Sequence, residues 1–143
     1  MNNRNGFTLI EILVVVAIIA ILAALVGPRI IGTTDEAKVT QAKAQIRNLE
    51  TALKLFKLGN GFYPTTEQGL SALVDKPTTG RIPEKYRDGG YLESRGVPKD
   101  PWNNDFVYLS PGLHGDYDLL SYGNDGAPGG EDTNADIENW NLK

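Results

Sequence analysis

The sequence predicts an α+β protein, in which a long N-terminal α-helix packs on a small C-terminal antiparallel β-sheet. Three observations predict it. Residues 7–26 are apolar apart from Thr8 and Glu11. Val39, Ala42, Ile46, Leu49, Leu53 and Phe56 then recur at alternating spacings of three and four, which is one face of a helix. Two short runs rich in aromatic and β-branched residues, 106–109 and 117–121, follow near the C-terminus.

The apolar run 7–26 has the length of a membrane-crossing helix, which needs about 20 apolar residues. A cleavable secretory signal has a shorter apolar region followed by small residues at the cut site. Arg4, the one basic residue before the run, favours a cytoplasmic N-terminus. The polar remainder would then lie across the membrane, in the periplasm of a bacterium. Glu11 sits about one turn into the run. An acid at the centre of a span costs roughly 2.5–3.5 kcal/mol, and less near an interface. Either it reaches the headgroups, or it awaits a cation. No cation within the run can serve, so the partner is another molecule or a newly made N-terminus.

Beyond the run, Gly27-Pro28 interrupts the pattern. Pro28 lacks an N–H and would crowd the carbonyl of Ala24, so it marks a helix end, a kink or a locally unwound stretch. The stripe from Val39 to Phe56 favours continuation. Its other face carries Lys38, Lys43, Arg47, Glu50, Lys54 and Lys57, with Glu50 and Lys54 spaced as a favourable i,i+4 pair. Gly59-Asn60-Gly61 stops the helix. A helix over 7–58 would be about 78 Å long at 1.5 Å per residue.

After it, Thr65 and Gln68 read as a capping box for a short helix over 66–74. Residues 75–100, rich in Pro, Gly and charge, read as an ordered loop region. Ser110-Pro111-Gly112 and His114-Gly115 mark the turn between the two strands.

Residues 122–136 gather carboxylates on a Gly-rich backbone. Ca²⁺ takes six to eight oxygens from carboxylates and main-chain carbonyls, and Gly lets a loop wrap the ion. The spacing is not that of an EF-hand. On spacing alone the loop is either a calcium site or a solvated acidic loop. The chain has 143 residues, no Cys and a formal net charge of -4. Disulfides therefore cannot staple the small domain, and a metal is an alternative staple. The charge leaves no nucleic-acid footprint. Catalytic constellations are absent. His114 is the single His and lies in a turn, no phosphate-binding Gly loop occurs, and the acids gather in the tail. The chain reads as no enzyme.

Gly6-Phe7-Thr8-Leu9-Ile10-Glu11 resembles the processing signal of type IV pilins and pseudopilins. Tyr63-Pro64-Thr65-Thr66-Glu67-Gln68-Gly69-Leu70, Asp100-Pro101-Trp102, the strand Gly115-Asp116-Tyr117-Asp118-Leu119, Ala135-Asp136-Ile137 and Asn139-Trp140 resemble the major pseudopilins of type II secretion systems. One departure is Asn103-Asn104, where that family usually shows Gly.

The resemblance implies a type IV pilin-like fold and four regions: a cleaved leader at 1–6, a transmembrane and filament-core half-helix at 7–28, an amphipathic half-helix at 29–58, and a periplasmic globular part at 59–143. It implies that a prepilin peptidase cuts between Gly6 and Phe7 and methylates the new Phe7 amine. The chain would be that enzyme's substrate. Glu11 would pair with the Phe7 ammonium of a neighbouring subunit, a strong interaction in low dielectric. Phe7, Glu11 and Pro28 would serve assembly.

The resemblance also implies a bound Ca²⁺. Its ligands would be the side chains of Asp125, Asp132 and Asp136 and the main-chain carbonyls of Tyr122 and Ala127, with the choice among Glu131, Asp132 and Asp136 left open. The implied partners are further copies of the chain in a helical polymer, minor pseudopilins, the peptidase, the inner-membrane assembly platform and the lipid bilayer, with no nucleic acid. The implied function is the major subunit of a periplasmic pseudopilus that drives folded proteins across the outer membrane. The alternative is a type IV pilin for adhesion, motility or DNA uptake. Many of those close the C-terminal region with a disulfide, so the absence of Cys favours the pseudopilin. From a different class, a membrane-tethered periplasmic binding protein or enzyme stays open; intact mass separates it, since such a protein would retain 1–6 or be cut after the apolar segment.

Overall fold

The structure, a computed structural model, describes residues 8–142, with the side chains of 24–34 excepted. The leader 1–6 and Phe7 lie outside the described residues. The chain divides between Glu36 and Ala37 into two compact units.

Helix α1, Leu9–Asn60, is 52 residues long and its assignment runs on through Gly27 and Pro28. In the first unit, every large apolar side chain from Leu9 to Leu22 is about half exposed or more, from 49% for Val15 to 80% for Leu9. Among the described residues no helix is long and apolar enough to cross a membrane. The run read from the sequence, 7–26, begins before the described residues and ends among side chains that are not described.

In the second unit, α1 supplies one wall of the core. Ala42, Ile46, Leu49, Leu53 and Phe56 are buried and Val39 is partly so, which is the stripe expected from their spacing. Ala52 joins them. The helix stops as a left-handed Gly lets it. Gly61 has φ +80 and its N–H donates to the Lys57 carbonyl at 2.7 Å. Phe56 is the hub of an aromatic group, with the rings of Tyr91, Phe62 and Tyr86 centred 5.2, 5.7 and 6.4 Å away.

The Glu50–Lys54 pair expected on the outer face does not form. Glu50 Oε1 instead accepts from the Tyr117 hydroxyl at 3.3 Å and from Asn139 Nδ2 at 3.4 Å. An exposed i,i+4 pair is worth only a few tenths of a kcal/mol, so partners offered by the packed sheet can claim the carboxylate.

The capping box after α1 does form. Thr65 N–H donates to Gln68 Oε1 at 3.0 Å, and Gln68 N–H donates to Thr65 Oγ1 at 3.3 Å. The helix expected over 66–74 does not follow as one element. Gly69 takes φ +58 and ψ -167, which ends the first turn, and a separate 3-10 turn, Leu70–Leu73, succeeds it. That turn buries Leu70, Ala72 and Leu73. Residues 75–100 contain no helix or strand, but hydrogen bonds tie them down. Gln68 Nε2 donates to the carbonyls of Thr79 and Arg81 at 2.7 and 3.0 Å, and Tyr91 N–H donates to the Leu73 carbonyl at 2.7 Å.

The sheet has three antiparallel strands in the order β1-β2-β3: β1 Val107–Leu109, β2 Asp118–Ser121 and β3 Ile137–Glu138. Tyr108 pairs with Leu119, and Ser121 with Ile137. β3 was not expected from the sequence, because two residues carry no periodic signal. It exists because β2 has a second edge to satisfy and Ile137 has a core to enter. All four residues of β2 are buried. Within the second unit, α1 and the aromatic loops cover one layer and the sheet the other, which is the two-layer α+β arrangement the sequence predicts.

Candidate functional site

Three places carry the residues singled out above: the start of α1, the turn around Asp100, and the loop 122–136.

At the start of α1, Glu11 folds back on Thr8. Its Oε2 accepts from the Thr8 N–H at 3.3 Å and from the Thr8 hydroxyl at 3.4 Å, while Glu11 N–H donates to Thr8 Oγ1 at 3.3 Å. This is a reciprocal capping box, which satisfies amide donors that the first helical turn cannot. The sequence held the signal, Thr-x-x-Glu before an apolar run. The sequence reading took Glu11 as an acid that either reaches the headgroups or awaits a cation, and missed Thr8 as its capping partner. Gly6 and Phe7 are outside the described residues, as is the side chain of Pro28.

Asp100 is 4% exposed and organises the turn that follows it. Its Oδ1 accepts from the amides of Trp102 and Asn104 at 3.0 and 2.8 Å, and its Oδ2 accepts from the Ser121 hydroxyl at 2.6 Å. Asn103 has φ +72. That left-handed position suits Gly, and Asn is among the few other residues that tolerate it. The departure from the family pattern therefore leaves the turn intact. Asn104 Nδ2 donates to the Gly123 carbonyl at 3.2 Å, joining this turn to the acidic loop. Asn104 and Ser121 were not singled out from the sequence. Lone polar residues carry no motif, and only the fold brings them together.

The acidic loop closes on itself. Asn124 N–H donates to the Thr133 carbonyl at 3.0 Å, and its Nδ2 donates to Asn134 Oδ1 at 3.2 Å. Gly123, at φ +64, lets this approach happen. A Cβ there would meet the carbonyl oxygens of Ala135 and Thr133 at 2.9 Å. Asp125 Oδ1 accepts from the Ala127 N–H at 3.2 Å. Asp136 Oδ2 accepts from the Gly129 N–H at 2.9 Å, whereas its Oδ1 is buried with no hydrogen-bond donor. A buried carboxylate oxygen without a partner is costly.

Among the described residues, no three Asp, Glu, His or Cys side chains stand close enough together to hold a metal. The oxygens the loop offers are hard ones, its backbone carbonyls and the unpartnered Oδ1 of Asp136. That donor type fits Ca²⁺, whose shell can be completed by carbonyls rather than carboxylates. Tyr122 lies at the base of this loop, half-buried, and Asp132 has φ +53.

His114 is held rather than catalytic. Its Nδ1 lies 3.0 Å from Asp118 Oδ2, and its ring stacks on Trp140 at 4.0 Å between centroids and 11° between planes. Asp118 is 2% exposed. Burial alone pushes its carboxyl pKa up. The amides of Leu113 and His114 and the His114 ring outweigh that and hold it below the ordinary 3.8.

Residues 29–140 match the family described as "Type II secretion system (T2SS), protein G", and residues 1–27 match the "Prokaryotic N-terminal methylation motif". The chain therefore belongs to the type II secretion system protein G family, a family of structural pseudopilin subunits and not of enzymes. The type II secretion system core protein G of Vibrio cholerae serotype O1 is 50% identical over 143 residues, covering 100% of this chain and 96% of that one. The protein of the same name from Pseudomonas aeruginosa is 51% identical over 139 residues, 97% of this chain and 96% of that one. Among solved structures, the major pseudopilin from the type 2 secretion system of enterohaemorrhagic Escherichia coli is similar, with a TM-score of 0.68 and 43% identity. The match covers 78% of this chain and 94% of that one.

Proposed function

We propose that this chain is the major structural subunit of the periplasmic pseudopilus of a type II secretion system. The observation that carries the reading is the pairing, on one chain, of the methylation motif over 1–27 with the protein G family over 29–140. The exposed apolar side chains of Leu9 to Leu22 support it, because such a surface needs lipid or other copies of itself as a cover.

In this reading a prepilin peptidase cuts between Gly6 and Phe7 and methylates Phe7. The segment 7–28 anchors the subunit in the inner membrane, with its N-terminus cytoplasmic and the part 59–143 periplasmic. Glu11 then exchanges its hydrogen bonds to Thr8 for the Phe7 ammonium of the neighbouring subunit. Polymerisation on the inner-membrane platform, capped by minor pseudopilins, drives folded proteins across the outer membrane.

The loop 122–136 holds Ca²⁺ in the same reading. Asp136 and Asp125 would supply carboxylate oxygens, Tyr122 and Ala127 carbonyls, and Asp132 or Glu131 the remainder, three acids that do not stand together in this structure and that the loop would have to draw in around the ion. When bound, the ion supplies positive charge that cross-links the loop where a disulfide is absent. The unmatched Asp136 Oδ1 supports this assignment.

A deletion strain tests the function. Loss of secreted proteins from the medium, with surface pili intact, is the expected result. Normal secretion with missing pili would replace the reading with a type IV pilin.

A further inference from the structure

The loop 122–136 is not held evenly. Its outer stretch, 124–132, is exposed throughout. The hydrogen bonds of that stretch, from Asn124 to Thr133 and Asn134, Ala127 to Asp125 and Gly129 to Asp136, stay within the loop. Its first residues are instead tied to the body of the second unit. Two groups do the tying, the Asn104 amide and the Ser121 hydroxyl.

Both groups rest on Asp100. The Asp100 Oδ1 accepts from the Asn104 N–H at 2.8 Å, while the Asp100 N–H donates to the Asn104 carbonyl at 2.9 Å. The backbone of Asn104 is therefore gripped from two sides. The Asp100 Oδ2 accepts the Ser121 hydroxyl proton at 2.6 Å. A hydroxyl has one proton, so Ser121 Oγ meets Gly123 as an acceptor, and the Gly123 N–H donates to it at 3.2 Å.

Two successive peptide planes are fixed as a result. The peptide joining Tyr122 to Gly123 is planar and trans, so the Tyr122 carbonyl points opposite to the N–H that Ser121 holds. The next peptide is held at both ends. The Gly123 carbonyl accepts from Asn104 Nδ2 at 3.2 Å, and the Asn124 N–H donates to the Thr133 carbonyl at 3.0 Å. The Asn104 amide also backs onto Gly126, where an added Cβ would lie 3.4–3.6 Å from its Nδ2, Oδ1 and Cγ. It thus spans two left-handed glycines, Gly123 at φ +64 and Gly126 at φ +65, that bracket Asn124 and Asp125.

We propose that Asn104, with Ser121 behind it, is a positioning residue of the calcium loop. It sets the backbone from Tyr122 to Gly126 in advance, and the acids close on that fixed part when the ion binds. The proposal rests on the calcium reading above. Its physical basis is preorganisation: backbone already fixed by the fold loses less conformational freedom on binding. No three acids stand together among the described residues, so backbone direction is what the fold supplies beforehand. Asn104 Nδ2 is a donor, which a cation would repel, so the residue acts through the loop's backbone.

The test uses full-length protein in detergent, stripped of metal and titrated with Ca²⁺ by calorimetry. Melting temperatures are taken with chelator and with excess Ca²⁺. Asn104→Leu has a similar shape and lacks the donor. It should raise the calcium Kd roughly 10–100-fold, the usual cost of losing a group that orients a metal ligand. It should also lower the melting temperature more with Ca²⁺ than with chelator. Asn104→Ser, whose hydroxyl is too short to reach the Gly123 carbonyl, serves where Leu perturbs folding. A native Kd in these variants, or an equal melting loss with and without Ca²⁺, would overturn the positioning role, provided that Asp136→Asn still abolishes binding. Absence of binding heat and of calcium-dependent melting in the native chain would overturn the calcium reading itself.

Discussion

Asp118 shows how one buried carboxylate can be held charged. It accepts two backbone amides at 2.9 and 3.1 Å and faces the His114 ring at 3.0 Å. Its folded pKa is lowered, so it contributes stability that is fully present above the unfolded value near 3.8 and is lost as pH falls through the folded value. Asp118→Asn should destabilise the domain by about 1–3 kcal/mol at neutral pH, by leaving amides short of an acceptor. It should also flatten the acid limb of a plot of melting temperature against pH. An acid limb as steep as the native one would show that other carboxylates set it.

Glu11 is a second acid whose surroundings define a test. Glu11→Gln keeps an acceptor for the Thr8 amide but removes the charge. The variant should be processed and membrane-inserted normally yet fail to assemble, as read by N-terminal mass together with filament counts. Filaments at native abundance would mean that capping, not charge, is the use of this residue. Thr8 illustrates what single-residue reading overlooks. The Thr-x-x-Glu spacing is in the sequence, but an acid inside an apolar run draws the eye to its charge and away from its ordinary role in starting a helix.

At the scale of elements, the second part of α1 was the most legible. Six apolar residues at a strict period admit one face, and Ile46, Leu53 and Phe56 are fully buried on it. Phe56→Ala should cost about 3–5 kcal/mol by emptying the centre of the aromatic group, measured by denaturant unfolding. A loss below 1 kcal/mol would mean that Tyr86 and Tyr91 collapse into the space. The strands β1 and β2 were legible to within a residue, because aromatic and β-branched runs announce them. Strand β3 and the interrupted helix at Gly69 were not. One depends on a partner edge supplied by the fold, and the other on a backbone angle, φ +58, that the letter Gly permits without requiring.

The acidic loop lay between these cases. Its composition suggested a hard cation, whereas the closure of Asn124 on Thr133 and the stranded oxygen of Asp136 emerge only in three dimensions. Full-length protein in detergent should melt several degrees lower with chelator than with excess Ca²⁺. Asp136→Asn should abolish that difference. A chelator response unchanged in Asp136→Asn would move the site elsewhere.

At the scale of the whole molecule, the chain joins two units with different surfaces. The second unit buries its own core. The first leaves its large apolar side chains from Leu9 to Leu22 about half exposed or more. Composition alone made this division legible, since apolar residues crowd the N-terminus and Gly, Pro and charge fill the remainder.

The bare apolar stretch of α1 also constrains the traffic of subunits. Leaving each large apolar side chain in water forgoes roughly 1.5–3 kcal/mol, so a subunit shed from a filament has no stable existence in the aqueous phase. In the proposed reading its low-energy destinations would be a growing end or the bilayer. The pool that feeds growth would then be a two-dimensional one, measured per area of membrane rather than per volume of cell. Filament length would follow the crowding of subunits in that sheet of lipid, and retraction would refill the same store without any loss to the surroundings.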